Sequence, residues 1–104
     1  MNISLNDEIN KKLICELRNE FHIPPYCDDE TLNNYIKEGA YELSRYVSNI
    51  DYVCDITACM LIKNYAFYAY NNITHIFHEN YEKTLLSWQM SKIGGDENDE
   101  STSL

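Results

Sequence analysis

The stretch that most constrains the fold is residues 56–72, which read ITACMLIKNYAFYAYNN. Twelve of the fifteen residues from Ile56 to Tyr70 are apolar or aromatic, and the run contains no glycine or proline. Such a run predicts a helix rather than a strand, and apolar side chains on nearly every face predict that other helices surround it. The run is shorter than the roughly 20 apolar residues that span a bilayer. We therefore expect a central helix that ends near Asn71-Asn72.

Helical spacing of apolar residues predicts two helices before this one. The first covers about residues 5–22, starts at Ser4 as its cap with Asp7 completing a capping box, and ends before Pro24-Pro25. The second starts after Asp28 as its cap. Its apolar stripe contains Gly39, and a glycine in that position predicts close approach of a neighbouring helix.

The chain around the central helix predicts its start and one further helix. Either Asp51 or Asp55 is expected to cap the central helix. Thr74 is expected to cap a fourth helix, in which Phe77, Tyr81, Leu85 and Trp88 recur at spacings of four, four and three, and which closes near Gly94-Gly95. Together the four segments predict an all-α protein, a small four-helix bundle.

Composition limits the class of protein. A chain of 104 residues with 44% hydrophobic residues and only three glycines predicts one ordered domain. Its 17 acids against 8 bases give a net charge of −9, which argues against nucleic-acid binding and against attachment to anionic membranes. The start, MNISLNDEINKK, lacks a signal-peptide pattern, so we expect the chain to stay in the reducing compartment where it is made. The four cysteines are then expected as thiols, with Cys15 and Cys59 acting as buried small hydrophobes.

The final segment is acidic and polar, with the sequence DENDESTSL after Gly95. It contains too little apolar surface to offset its ordering entropy, so we expect a helical domain over residues 1–93 and a disordered tail over residues 94–104. Two interpretations of the tail stay open. It orders on binding a partner, or it serves as a solubilising end.

The residue patterns predict no enzyme. His75 and His78 share a helix face, but their spacing matches neither zinc-protease motif, and the alternative is that they are half-exposed residues at a helix start. The cysteines form no close pairs of the kind that zinc clusters use. Phosphate loops and nucleophile elbows are also missing from the sequence. We therefore expect no catalytic residue, no metal and no cofactor.

Aromatic residues exceed what one small core needs, because nine residues are tyrosines. Each phenol requires a hydrogen-bond partner or an edge that reaches water, and aromatic residues are enriched at protein–protein interfaces. Ordinary tyrosines at the edge of the core are an equally good interpretation. The side chains predicted to contact subunits or partners are Tyr65, Tyr68, Tyr70, Tyr81 and Trp88.

Four segments in order carry a resemblance to a known family. They are the link FHIPPYCDDETL, the amphipathic helix LNNYIKEGAYELSRYV, the aromatic helix LIKNYAFYAYNN and the closing helix FHENYEKTLLSWQM. The last of these has Phe77, Asn80-Tyr81, Leu85 and Gln89 in positions familiar from that family. Over residues 9–92 the chain resembles the head–tail connector, or adaptor, proteins of tailed bacteriophages. The high tyrosine and cysteine content and the acidic tail depart from the family pattern.

The resemblance implies a structural role in the virion. Adaptors of this family are all-helical, sit as a homo-oligomeric ring (a dodecamer) on the portal protein, and bind a tail-completion or stopper protein. They are made in the host cytoplasm, reside at the head–tail interface, and continue the channel through which DNA passes. A negatively charged lumen would keep DNA from sticking.

A second class of function is a small acidic regulatory protein, such as a phage-encoded inhibitor that mimics the charge of DNA. Four of the 17 acids lie in the tail and several others lie at helix starts. The sequence therefore lacks a regular acidic stripe, which weighs against mimicry.

Overall fold

The computed structural model describes residues 6–94 and contains four α-helices with no strand in that range. They are α1 (Asp7–Phe21), α2 (Asp29–Leu43), α3 (Ile56–Tyr70) and α4 (Phe77–Gly94), with a 3₁₀ turn at Thr74–Ile76 before α4. The predicted all-α, four-helix architecture is confirmed. The boundary predicted at residue 94 shifts, because Gly94 is the last residue of α4, and the tail predicted beyond it lies outside the described residues.

The start of α1 differs from the sequence prediction. The cap is Asn6, whose Oδ1 accepts the backbone N–H of Ile9 at 2.9 Å, rather than Ser4, which lies outside the described residues. Asn6 satisfies one of the four N–H groups that have no partner within a helix start. The helix ends at His22 in the left-handed conformation, with φ at 56° and its N–H bonded to the carbonyl of Arg18.

Aspartates start the next two helices. Asp28 caps α2 as predicted, because its Oδ1 accepts the N–H of Thr31 at 2.9 Å, and hydrogen bonds from Thr31 lower the pKa of the carboxyl group. Of the two candidates for α3 the cap is Asp55, which accepts the N–H of Ala58 at 3.1 Å. Asp51 instead accepts two N–H groups in the turn just before.

The second half of the chain contains one confirmed and one wrong prediction. Helix α3 ends at Tyr70, and Asn72 adopts the left-handed conformation with φ at 62°, as predicted for a helix terminus. The prediction that Thr74 caps α4 is wrong, because the 3₁₀ turn Thr74–Ile76 has no side-chain cap and leads directly into Phe77.

The core lies where α3 packs between α1 and α2 and against α4. Every helix contributes apolar side chains to it, and together with the connecting segments these form one cluster: Leu13, Ile14, Leu17, Ile23, Leu32, Ile36, Leu43, Val47, Ile50, Tyr52, Ala58, Leu61, Ile62, Tyr65, Ala66, Phe77, Leu85 and Trp88. Apolar surface removed from water is the main source of stability in such a cluster.

Gly39 sets the distance between α2 and α3. A Cβ built at this position would lie 3.0 Å from Cδ1 of Tyr65 and 3.3 Å from Cγ1 of Ile62. That spacing is tighter than ordinary van der Waals contact, so only glycine lets the two helices approach this closely. The predicted packing role of Gly39 is confirmed.

The connection between α2 and α3 is part of the core. Val47, Ile50 and Tyr52 are buried there. Burial raises the pKa of the Tyr52 phenol, whose hydroxyl has no hydrogen-bond partner among the described residues.

The cysteines are all free thiols, and one of them contradicts the prediction. Cys15 is exposed on α1 rather than buried, because it lies beside the stripe formed by Leu13, Ile14 and Leu17. Cys59 is half-buried and donates its S–H to the carbonyl of Tyr52 over 3.0 Å.

Candidate functional site

The five side chains predicted to contact partners fall into a buried pair and a half-buried set. Tyr65 and Trp88 are each only 4% exposed. The Tyr65 hydroxyl donates to Oε2 of Glu38 at 2.9 Å, and the Trp88 indole donates to Oδ2 of Asp55 at 2.8 Å. Burial, and then the bond to Glu38, raise the pKa of the Tyr65 phenol. Both side chains belong to the core of the single chain, so we remove them from the candidate contact surface.

Tyr68 and Tyr81 flank the buried ring of Phe77. Tyr81 stacks on Phe77 with ring centroids 4.9 Å apart, and Tyr68 meets Phe77 edge-on at 5.6 Å. Their hydroxyls are also engaged, because Tyr81 donates to Asn64 and Tyr68 accepts from Asn80, each at 2.8 Å. Burial raises the pKa of Tyr81. These two tyrosines join α3 to α4 and present only part of each ring to solvent.

Tyr70 lies apart from that pair, at the C-terminal end of α3. Its ring is 6.5 Å from that of Phe67, which in turn stacks on Phe21 of α1 at 4.5 Å. The half-buried residues Tyr68, Tyr70 and Tyr81 therefore remain candidates for contact with a partner, and that contact stays a prediction.

Helix α4 has a second apolar face that was not predicted from the sequence. Leu86, Met90 and Ile93 are exposed, with Met90 at 65%, and we call these three side chains the α4 ridge. At 100° per residue they lie within a sector about 60° wide, and Leu86 points about 160° away from Trp88. The sequence carries the signal for this face as apolar residues at i, i+4 and i+7, beside the separate stripe that begins at Phe77 and is buried. Helix α4 is thus apolar on two opposite sides, and the part of the chain that the structure describes covers only one of them.

A groove of about 270 Å³ runs between α1 and α3. Its apolar wall includes Ile56, which is 84% exposed, and the exposed Val53. We call it the α1–α3 groove, and its lining residues are Lys12, Glu16, Glu20, Val53, Ile56, Cys59, Met60, Lys63 and Asn64. It is an apolar surface bordered by charged side chains.

Lys63 forms the charged floor of this groove. Its side chain is only 12% exposed, and its ammonium group pairs with Glu16 at 3.1 Å and Glu20 at 2.8 Å. Burial opposes its charge, but hydrogen bonds to the two carboxylates outweigh burial and raise the pKa of Lys63. The charges inside the groove are therefore paired, which leaves the exposed Lys12 as the cation at its edge.

His75 and His78 do not form a common site. His75 is exposed in the 3₁₀ turn, whereas the imidazole of His78 lies 2.9 Å from the Tyr46 hydroxyl and 3.3 Å from Glu42. His78 thereby links the start of α4 to the end of α2. Within residues 6–94 no group of three histidine, cysteine or acidic side chains is placed to hold a metal ion.

A polar hollow of about 420 Å³ separates the start of α3 from α4. Two lysines line it, Lys83 and Lys92, and Lys92 pairs with the Asp55 carboxylate at 2.7 Å. Burial disfavours ionisation of Asp55, yet the hydrogen bonds from Lys92 and Trp88 outweigh it and lower the pKa of that carboxyl group. The cap of α3 is thus a charged, fully bonded aspartate.

Comparison with models of protein families, with curated proteins and with solved structures finds no match to this chain. No helix within residues 6–94 has both the length and the apolar character needed to cross a membrane. The described residues form an all-α protein with two exposed apolar surfaces, the α4 ridge and the α1–α3 groove. The adaptor resemblance stays a prediction.

Proposed function

We propose that this chain is a structural assembly protein of the head–tail adaptor class, which forms a ring on a phage portal and continues the DNA channel. The observation that carries the proposal is the α4 ridge, a contiguous apolar surface that residues 6–94 leave in water. Contiguous exposed apolar patches on folded proteins often mark sites of contact with other proteins. An adaptor has such surfaces because it is built to be covered on assembly.

The order and roles of residues in α4 also support the proposal. Positions that carry the adaptor resemblance join α4 to the rest of the chain. Phe77 is the centre of the aromatic cluster, Asn80 bonds to Tyr68, and the Gln89 amide donates to the carbonyl of Tyr46 at 3.1 Å. The resemblance therefore rests on residues that fix how the closing helix is attached.

The charge of the chain suits a channel. Each chain has a net charge of −9, and a ring multiplies that charge around its lumen. Phosphate groups are repelled by such a surface, so DNA would pass without specific binding. The role is structural, with the portal on one side and a tail-completion protein on the other.

Co-expression with the portal protein encoded in the same genome tests the proposal. Size exclusion followed by native mass spectrometry is expected to give one complex with as many copies of this chain as of portal. Separate elution of the two proteins would contradict it. Co-purification with a host DNA-binding enzyme instead would favour the acidic inhibitor.

A further inference from the structure

We infer that the α4 ridge of one chain seats in the α1–α3 groove of a second copy, so that identical chains join head to tail. The inference rests on the proposed function and deepens it, because it names the two surfaces through which neighbouring subunits meet. The occupant of each surface is another copy of this chain.

The α4 ridge has the geometry of a helix face that can pack into a groove. Its three side chains lie in one row, and from Leu86 to Ile93 the row is about 10.5 Å long. The covered side of α4 is already occupied, because Trp88 and Leu85 pack inward. The ridge therefore has no partner within residues 6–94.

The groove matches the ridge in length and in character. Its α3 wall runs from Ile56 to Lys63, which is also about 10.5 Å. Val53, Ile56 and Met60 supply apolar surface against which a row of apolar side chains can pack. Ridges of side chains that enter grooves between neighbouring rows are the usual way in which helices pack.

Charge at the ends of the two surfaces is complementary. Glu82 lies one turn before Leu86 on the same side of α4, and it is exposed. Lys12 stands at the edge of the groove with 68% of its side chain exposed, and its only ion pair among the described residues is a 4.0 Å contact with Glu16. An approaching ridge can therefore place Glu82 near Lys12, which adds orientation to an otherwise apolar contact.

The two surfaces lie on different sides of the molecule. The Trp88 side of α4 faces the start of α3, so the ridge points away from α3, whereas the groove lies on the α1 side of α3. A two-fold pairing of ridge with ridge would leave both grooves uncovered. A head-to-tail contact covers both surfaces, and repetition of such a contact closes a ring when the rotation between subunits allows it.

Complementary variants test the contact without any portal protein. Met90→Glu damages the ridge and leaves the groove intact, while Ile56→Glu damages the groove and leaves the ridge intact. Both positions are exposed, so the variants are expected to fold. Tyr41→Glu is the matched control, because Tyr41 is 69% exposed and lies on neither surface. Ile93→Glu serves as a second ridge variant.

Sedimentation of each protein alone and of equimolar mixtures gives the readout. The wild type and Tyr41→Glu are expected to associate progressively as the concentration is raised to about 1 mM, the range in which weak specific contacts form. Met90→Glu, Ile93→Glu and Ile56→Glu should each associate at least about tenfold more weakly, because seating a charge in an apolar contact is unfavourable. A mixture of Met90→Glu with Ile56→Glu should form a one-to-one pair that grows no further, since one intact ridge meets one intact groove.

Three outcomes would overturn the inference. If the ridge variants dissociate the protein, Ile56→Glu does not, and the mixture forms no pair, then two ridges pair with each other. If the wild type remains monomeric throughout, then another protein or residues 95–104 cover the ridge. If all variants associate like the wild type, the contact lies elsewhere. All three results are obtained without portal protein and do not test portal binding. Failure of this inference is therefore distinguishable from failure of the adaptor proposal, which the co-expression experiment tests.

Discussion

The indole of Trp88 donates a hydrogen bond of 2.8 Å to the Asp55 carboxylate, and this bond fastens the second half of α4 to the first turn of α3. The same carboxylate accepts the backbone N–H of Ala58 and pairs with Lys92. One aspartate therefore caps a helix, satisfies a buried indole and neutralises a lysine. Together with the contacts of Phe77, Asn80 and Gln89, this residue holds α4, and with it the α4 ridge, in its orientation.

Replacing Asp55 by alanine is expected to lower the free energy of unfolding by about 2 to 4 kcal/mol. The lost cap accounts for about 1 kcal/mol and the unpartnered buried indole for about 1 to 3 kcal/mol. Urea unfolding measures the change. Asp51→Ala is the matched control, because Asp51 accepts N–H groups only in an exposed turn and its loss should cost clearly less than that of Asp55. Equal losses in the two variants would mean that the Trp88 bond contributes nothing.

Stability is expected to fall in acid, in part through Asp55. The pKa of Asp55 lies below its ordinary value of 3.8 in the folded chain, so its contribution is fully present above that value. It is lost as the pH falls below 3.8 through the lower folded-state pKa. Thermal melts from about pH 5 downward should show a shallower decline for Asp55→Asn than for the wild type.

Asp28 and Asp51 also have lowered pKa values, so the decline in Asp55→Asn should be reduced rather than abolished. The wild type and Asp55→Asn losing stability in parallel would show that Asp55 has the same pKa in the folded and unfolded chains. That result would remove the charged cap from the account of α3.

Gly39→Ala is expected to destabilise the protein although alanine is the better helix former by about 1 kcal/mol. The new methyl group meets the Tyr65 ring, which its bond to Glu38 and its edge-on contact with Phe77 hold in place. Overpacking of this kind costs about 1 to 3 kcal/mol. Thermal unfolding should therefore show a lower midpoint than the wild type.

Asn34→Ala provides the control for that substitution. Asn34 is exposed on the same helix, so alanine there should leave the midpoint unchanged or raise it. A Gly39→Ala protein as stable as Asn34→Ala would indicate that α2 and α3 separate easily, contrary to the close packing at Gly39.

Lys63→Ala is expected to lower the free energy of unfolding by about 1 to 2 kcal/mol, because two carboxylates lose their shared partner. Lys12→Ala should cost less, since its single ion pair is long and exposed. Combining Lys63→Met with Glu16→Gln and Glu20→Gln should restore much of the loss by removing the unpaired charges. Urea unfolding in low and high salt separates the variants. No recovery in the triple variant would contradict this explanation, because its methionine replaces the lost volume and its glutamines leave no unpaired charge.

Local signals in the sequence were sufficient to predict the four helices. The helical spacing of apolar residues and the capping of α2 by Asp28 both involve residues close together in the chain, so both can be predicted directly from the sequence. Gly39 was also readable, because a glycine on an apolar stripe weakens its own helix and is favourable where a neighbouring helix comes close. The start of α1 was misplaced by two residues because Ser4 and Asn6 are both good caps and the sequence does not rank them.

Contacts between distant segments could not be predicted from the sequence in the same way. The bond between Asp55 and Trp88 joins residues 33 positions apart, and the burial of Tyr52 depends on how the connection folds over α3. The sequence predicts Tyr65 and Trp88 as contact residues because an aromatic side chain looks the same in sequence whether a core or a partner covers it. The exposed face of α4 could be identified only from the structure, which shows that the opposite face packs against the core.

Electron microscopy of this chain mixed with the portal protein of the same genome tests the adaptor proposal most directly. The proposal predicts a ring of additional density stacked on the portal, with the symmetry of the portal and a central channel continuous with it. A portal free of added density at saturating chain concentration, with the chain folded and monodisperse, would contradict the proposal.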